Sequence, residues 1–190
     1  MTASGTIMEW IALLLGVLYV VFAALEKASA WIFGGLSACL YVLICFNSQL
    51  YIEASLQFFY VVLALVGWLN WFSKKSGVQQ IQQIHRIQLK KQLKLLLPIF
   101  VLGLIVGYLV SENTQQFNPY LDAQIGVFSL YATYLTTQKI LENWLFWIVI
   151  DLVLIYLYVA RGLYPTAFLY GIYSIVALVG YFNWKKKLQV

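Results

Sequence analysis

Residues 31–71, WIFGGLSACLYVLICFNSQLYIEASLQFFYVVLALVGWLNW, return at residues 144–184 as WLFWIVIDLVLIYLYVARGLYPTAFLYGIYSIVALVGYFNW. The offset is constant at 113 (144 − 31), no gap is needed over the 41 positions, and 13 of them are identical. The identities include Trp31/Trp144, Tyr51/Tyr164, Tyr60/Tyr173 and Asn70/Asn183, and the run Ala64–Gly67 returns as Ala177–Gly180. Chance in so biased a composition gives roughly four identities, so the stretch is an internal duplication. Upstream, one extra loop residue brings Leu18-Tyr19 onto Leu130-Tyr131 and Lys27 onto Lys139.

The duplicated unit is apolar, and so is the rest of the 190-residue chain. Hydrophobic residues make up 63% and charged residues 10%, with a mean hydropathy of +0.82. Soluble domains carry about a quarter charged residues, and so short a chain cannot hide this much apolar surface from water. The start of the chain has no basic segment or small-residue cleavage site, so the first apolar run is expected to stay as a membrane span. With about 20 apolar residues needed per span, seven segments are predicted. They are Ile7–Leu25, Trp31–Phe46, Ala54–Phe72, Leu95–Val110, Gln124–Leu135, Trp144–Ala160 and Tyr164–Trp184.

The fifth is short and carries Ser129, Thr133 and Tyr134. The duplication supports it as the partner of the first span, and so does charge. Seven spans with the N-terminus outside put Lys27, Lys74, Lys75, Arg86, Lys90, Lys91, Lys94, Lys139 and Lys185–Lys187 inside, eleven of the twelve basic residues, and leave only Arg161 outside. Omitting the fifth span moves the Lys185–Lys187 tail to the wrong face under the positive-inside rule. The expected fold is therefore an all-α membrane protein of seven transmembrane helices in a 3+1+3 arrangement. Residues 1–73 form the first triplet, 74–122 a basic linker plus linking span, and 123–190 the second triplet. The odd linking span makes the triplets parallel, an arrangement of transporters that places the site near the midplane between the halves.

Several function classes fall away. The net charge of +5 flanks apolar spans, as topology signals do, so no nucleic-acid partner is expected. Cys39 and Cys45 are six apart in one apolar run and read as packing residues. The lone His85 and the absence of metal-ligand spacing leave no metal site or cofactor to expect. No phosphate-binding Gly-rich loop is present, and no nucleophile–base pair is visible, so the chain does not read as an enzyme. Ile81, Ile84 and Ile87 recur every three residues among Gln and Lys, which fits either an amphipathic surface helix or a solvated linker.

The richest stretch for chemistry is Glu142–Asp151. Trp144, Trp147 and Asp151 share one helix face, continued by Tyr158. A lone acid in mid-span is costly unless it faces a wet cavity or a partner, and an aromatic face with a carboxylate suits a flat cation. The alternatives are a packing face with Asp151 bonded to a neighbouring helix, or a tether toward Arg161. Gln57, Asn70, Asn183, Tyr60 and Tyr173 complete the candidate substrate-binding set. The paired asparagines could bind substrate or close an inner gate, and could equally cap helices; the tyrosines could pack helix on helix, and Trp71 and Trp184 read as interfacial belt anchors. The loops Glu26-Lys27 and Gln138–Asn143 match one another; their charges either pair at a gate or sit in solvent.

Ala24-Leu-Glu-Lys27, Gln49-Leu-Tyr51, Gly67-Trp-Leu-Asn-Trp71 and Glu142-Asn-Trp-Leu-Phe-Trp147 resemble the PnuC family of bacterial vitamin transporters, over about Leu13 to Trp184. The resemblance implies a 3+1+3 fold related to the SWEET sugar transporters, a homotrimer with one pathway per subunit, and residence in the bacterial inner membrane. It implies uptake of nicotinamide riboside by facilitated diffusion, with trapping by a cytoplasmic kinase. The family's Trp-x-x-Trp motif falls on Trp144 and Trp147. Asp151 stands where some members carry Asn, and Arg161 where some carry Gln. A similar branch, PnuT, carries thiamine, and both vitamins are flat permanent cations. A non-transporting membrane scaffold is the expectation from another class.

Overall fold

The computed structural model describes residues 3–72, 83–113 and 118–188. They form seven α-helices: α1 (Ala3–Ala24), α2 (Ala30–Asn47), α3 (Tyr51–Phe72), α4 (Leu89–Asn113), α5 (Pro119–Thr137), α6 (Asn143–Ala160) and α7 (Tyr164–Lys187). Six of them are long and apolar enough to cross a membrane, and α5 is the exception. The reason lies in its position. α5 packs against α3, α4 and α6, and seven of its residues, among them Ser129, Thr133, Thr136 and Thr137, are buried by those neighbours. A helix shielded on several sides has no need of an apolar surface all round.

The contacts close a ring. α1 packs on α2, α2 on α3, α3 on α5, α5 on α6, α6 on α7, and α7 returns to α1, while α4 touches α5 alone from outside. Indole hydrogen bonds fix the directions. Trp71 Nε1, at the end of α3, donates to Thr136 O at the end of α5 (3.2 Å), and Trp184 Nε1, at the end of α7, donates to Ala23 O at the end of α1 (3.1 Å). α3 therefore runs parallel to α5, and α7 parallel to α1. One end of the ring gathers Lys27, Lys139 and Lys185–Lys187; the other carries Glu53, Asp122 and Arg161.

Four helices stop in the same way. α1, α2, α5 and α6 each close with a backbone bond from a residue five positions on: Lys27 N to Phe22 O, Leu50 N to Cys45 O, Ile140 N to Leu135 O and Leu163 N to Tyr158 O, at 2.8–3.0 Å. The bond needs a left-handed residue just before the donor, and these are Glu26, Gln49, Lys139 and Gly162 (φ 60°, 61°, 51° and 72°). They fall in pairs 113 apart, 26/139 and 49/162. Glu26 and Lys139 bear this strain without being glycine, and each is held by the other: Lys139 Nζ lies 2.8 Å from Glu26 Oε1 and 4.7 Å above the Trp71 ring.

Trp71 and Trp184 are not belt anchors. They are 6% and 0% exposed, and they form the middle of a chain of four tryptophans. Trp31 meets Trp71 edge-on at 5.5 Å, Trp71 meets Trp184 at 5.8 Å, and Trp184 meets Trp144 edge-on at 5.4 Å. Trp31 lies over Gly67 and Trp144 over Gly180, each ring occupying the space a Cβ would take.

The segment before α4 fits neither expectation over its described part. Residues 83–88 are not helical. His85 forms a parallel bridge with Ile140, and Ile84 is buried in the tryptophan cluster. Ile81 lies outside the described residues.

Glu26 also takes Lys187 Nζ on its second oxygen at 2.8 Å. Burial pushes its carboxyl up, but the two ammonium groups outweigh burial and hold it below the usual carboxylate range. A depressed carboxylate stabilises the fold above its unfolded pKa, and that contribution is lost as pH falls through the lowered folded value. Acidification from about pH 6 to about pH 3 is expected to lower the melting midpoint more in the parent than in Glu26→Gln, as thermal unfolding in detergent will read.

Candidate functional site

The six-helix ring encloses a cavity of about 520 Å³, within the ordinary range for small-molecule sites, about 300–1,000 Å³. Each helix presents one face to it, at helical spacing. α6 contributes Trp144, Trp147, Asp151 and Tyr158; α3 contributes Glu53, Gln57, Tyr60 and Ala64; α7 contributes Tyr170, Tyr173 and Ala177. α1 adds Gly16 and Tyr19, α2 adds Trp31, Gly34 and Tyr41, and α5 adds Asp122, Ser129 and Thr133. α4 lines none of it.

Asp151 sits midway along α6 and is 4% exposed. Among the described residues its carboxylate has no hydrogen-bond or ion-pair partner. The tether toward Arg161 is absent, because Arg161 Nη2 pairs with Asp122 Oδ2 at 3.2 Å. Around Asp151 the wall is aromatic. Tyr158 stacks on Tyr170 (5.4 Å, 9° between planes), and Tyr170 meets Tyr173 edge-on at 5.8 Å. Among the described residues the cavity wall contains three acids (Glu53, Asp151 and Asp122, the last paired with Arg161) and no Lys, Arg or His. Such a space favours a flat, positively charged guest.

The cavity is closed at the basic end. Its lining stops at Ala23, Trp31, Thr136 and Trp144; beyond these lie the buried Trp71, Trp184, Lys139 and Leu141. At the other end Glu53 and Asp122 are half-exposed.

Of the nine candidates named from sequence, seven line the cavity: Trp144, Trp147, Asp151, Tyr158, Gln57, Tyr60 and Tyr173. Asn70 and Asn183 do not. Asn70 Nδ2 instead donates to Thr137 O at 3.4 Å, tying α3 to α5. Both belong to an identity of the duplication, and identity alone does not mark the cavity: Gly67/Gly180 and Trp71/Trp184 pack the ring instead. The cavity wall mixes identical pairs (Trp31/Trp144, Tyr60/Tyr173 and Ala64/Ala177) with positions where the halves differ. Where they differ, Gly34 faces Trp147, Ala38 faces Asp151 and Gln57 faces Tyr170 in the alignment, so the mid-helix acid and the aromatic groups at 147 and 170 come from the second half alone. Residues missed by sequence reasoning (Tyr19, Tyr41, Ser129, Tyr170) recur at helical spacing beside those that were named. Asn70→Ala is expected to leave ligand affinity within twofold while lowering the melting midpoint slightly, about 1 kcal/mol for one lost hydrogen bond; titration and thermal unfolding of the same preparation check both.

The Glu142–Trp147 motif divides by task. Glu142 accepts Arg86 Nε at 2.9 Å and Ile87 N at 3.2 Å. Asn143 accepts Thr136 Oγ1 at 3.1 Å and donates to Ile140 O at 2.6 Å. Trp144 wedges over Gly180 at the cavity floor, and Trp147 faces the cavity.

A closed ring of apolar helices around a central cavity, with a polar helix shielded inside the packing, defines a multi-pass membrane transporter. Residues 6–186 match the family described as nicotinamide mononucleotide transporter. The chain belongs to this family, the PnuC family, whose members are transporters and not enzymes. It is 28% identical to the nicotinamide riboside transporter PnuC of Escherichia coli (strain K12) over 96% of this chain and 87% of that one. It is 27% identical to the nicotinamide riboside transporter PnuC of Neisseria mucosa, over 94% and 72%. A riboflavin/roseoflavin transporter, RibM of Streptomyces davaonensis, is 25% identical over 70% of this chain and 63% of its own. The crystal structure of the vitamin B3 transporter PnuC superposes with a TM-score of 0.72, at 25% identity, over 95% of this chain and 81% of that one.

Proposed function

We propose that this protein takes up nicotinamide riboside, a permanently cationic vitamin, by facilitated diffusion through the cavity of the six-helix ring. The observation that carries the reading is Asp151, buried at mid-helix and facing an aromatic cavity, with no partner and no basic residue in the cavity wall among the described residues. A permanent pyridinium would be its counter-ion, with Trp147 and Trp144 beside the ring and Gln57 and Tyr60 within the cavity for hydroxyl or amide groups. A phosphate calls for Arg, Lys or oriented donors, and the acidic wall offers it repulsion, so the riboside is favoured over the mononucleotide. Phosphorylation inside the cell would make the product unable to return. Without a nucleotide-binding loop the protein has no power source of its own, and a concentration gradient maintained by trapping is sufficient.

The 3+1+3 parallel arrangement, similar to that of SWEET transporters, is supported by the helix stops paired 113 apart and by the matching Trp31–Gly67 and Trp144–Gly180 contacts. Residues 1–73 and 123–190 are then the halves that rock about the site, joined by residues 74–122. The charge distribution supports an inner-membrane protein with all seven helices spanning, the N-terminus outside and the basic end in the cytoplasm. A homotrimer is the assembly the family resemblance implies. A second reading, thiamine, is favoured by the same carboxylate, since thiamine is also a flat permanent cation.

Titration of the detergent-purified protein with nicotinamide riboside, nicotinamide mononucleotide, thiamine and riboflavin, followed by tryptophan fluorescence, tests this. Quenching by the riboside, with the mononucleotide far weaker, is expected. Quenching by thiamine alone moves the protein to the second reading, and silence from all four in folded protein overturns both.

A further inference from the structure

The two halves present matching loops at the basic end, residues 25–29 between α1 and α2 and residues 138–142 between α5 and α6, yet these are held in unlike ways. The second loop is bound by backbone. His85 N donates to Lys139 O at 3.2 Å and Leu141 N to His85 O at 2.9 Å. Glu142 closes on Arg86 Nε and on Ile87 N. Ile84, 6% exposed, is sunk in the tryptophan cluster beside them. Residues 83–88 thus form a strap laid across the loop, and freeing the loop would unpair several backbone groups and expose an apolar side chain together.

The first loop has no such strap among the described residues. Among the described residues, its ties across the ring are the two lysine contacts of Glu26, to Lys139 and to Lys187, beside the Trp184 bond to Ala23 O at the end of α1. Lys187, 54% exposed at its side chain, is a single-point partner that water replaces at little cost, whereas Lys139 is buried, so its pair with Glu26 is the tie that opening has to break. The strap exists once because the chain has one α3–α4 connection, so it breaks the equivalence of the halves.

We propose that the basic end opens asymmetrically: the strap of residues 83–88 holds the α5–α6 loop still, and the cavity opens there when the α1–α2 loop withdraws Glu26 from Lys139 and Lys187. Glu26 is then a latch and Arg86–Glu142 a fixed mount. The inference concerns the movement of the chain and does not require the substrate assigned above.

The test reads accessibility. Cys39 and Cys45 are first replaced by alanine, and Ala64→Cys places one thiol on the cavity wall of α3. A membrane-impermeant thiol reagent is applied from the face carrying the basic loops, without substrate. Lys187→Gln is expected to raise the labelling rate about two- to fivefold, the worth of a partly exposed ion pair, and Glu26→Gln to raise it further. Arg86→Ala is expected to leave the rate at the parent value, because the backbone bridge and Ile84 remain. Lys187, 54% exposed at its side chain, is a variant that folding tolerates, so the test survives a failure of Glu26→Gln to express. An equal rise from Arg86→Ala, or no rise from Lys187→Gln, overturns the proposal. A failure of the substrate reading would leave the labelling pattern intact, so the two are told apart.

Discussion

Asp151→Asn is expected to weaken binding of a permanently cationic vitamin by about 10- to 100-fold, measured by equilibrium titration, and to leave binding of neutral riboflavin, if any, unchanged. Two unit charges about 4 Å apart at an effective dielectric of about 20 attract by about 4 kcal/mol. Desolvating the carboxylate offsets part of this, leaving about 1.4–2.8 kcal/mol, or one to two orders of magnitude. Asparagine keeps the shape and hydrogen-bonding capacity and removes only the charge. The substitution also relieves an unpartnered buried acid, so the melting midpoint is expected to hold or rise. Loss of affinity in a protein at least as stable as the parent cannot then be ascribed to misfolding.

Gly67→Ala is expected to cost about 1–3 kcal/mol of stability, the range for overpacking a filled core. The added Cβ would fall on Cδ2 and Cε2 of Trp31. That ring is 2% exposed and meets Tyr19 at 5.6 Å and Trp71 at 5.5 Å, so it can yield only toward the cavity and at the expense of those ring contacts. Gly180→Ala repeats the conflict against Trp144, with the nearest approach at 2.7 Å. Gly171→Ala, on the same helix as Gly180 but with nothing within 4 Å, is the control and is expected to be neutral or stabilising by up to about 1 kcal/mol through helix propensity. Thermal unfolding of the three variants in one detergent distinguishes packing conflict from a general effect of adding a methyl group.

The helices and their order were legible because apolar runs and the duplication speak directly to membrane geometry. The existence of α5 was read from the repeat rather than from its hydropathy, and its polar residues are explained by burial among α3, α4 and α6. Less was legible where position along a helix had to stand for partners in space. Trp71 and Trp184 look like interfacial anchors because they end apolar runs, but their indoles bond to carbonyls across the ring. Asn70 and Asn183 were given a site role partly because they are repeated, but repetition marks packing pairs such as Trp71/Trp184 as well as cavity pairs such as Tyr60/Tyr173. Asp151 was legible for the opposite reason. It has no counterpart, its helix has no other charge, and a lone mid-span acid demands an explanation. The strap could not be read at all, since a bridge between residues 85 and 140 depends on how the connection folds back and leaves no periodic trace.

The most direct test of the central claim is counterflow in proteoliposomes. Vesicles holding the purified protein and unlabelled nicotinamide riboside are diluted into trace labelled riboside, with no ion gradient, membrane potential or ATP. Facilitated diffusion through the cavity predicts a transient, saturable accumulation of label, lost in Asp151→Asn at the same substrate concentration. Folded parent protein that accumulates no label, or does so only when an ion gradient is imposed, would contradict it.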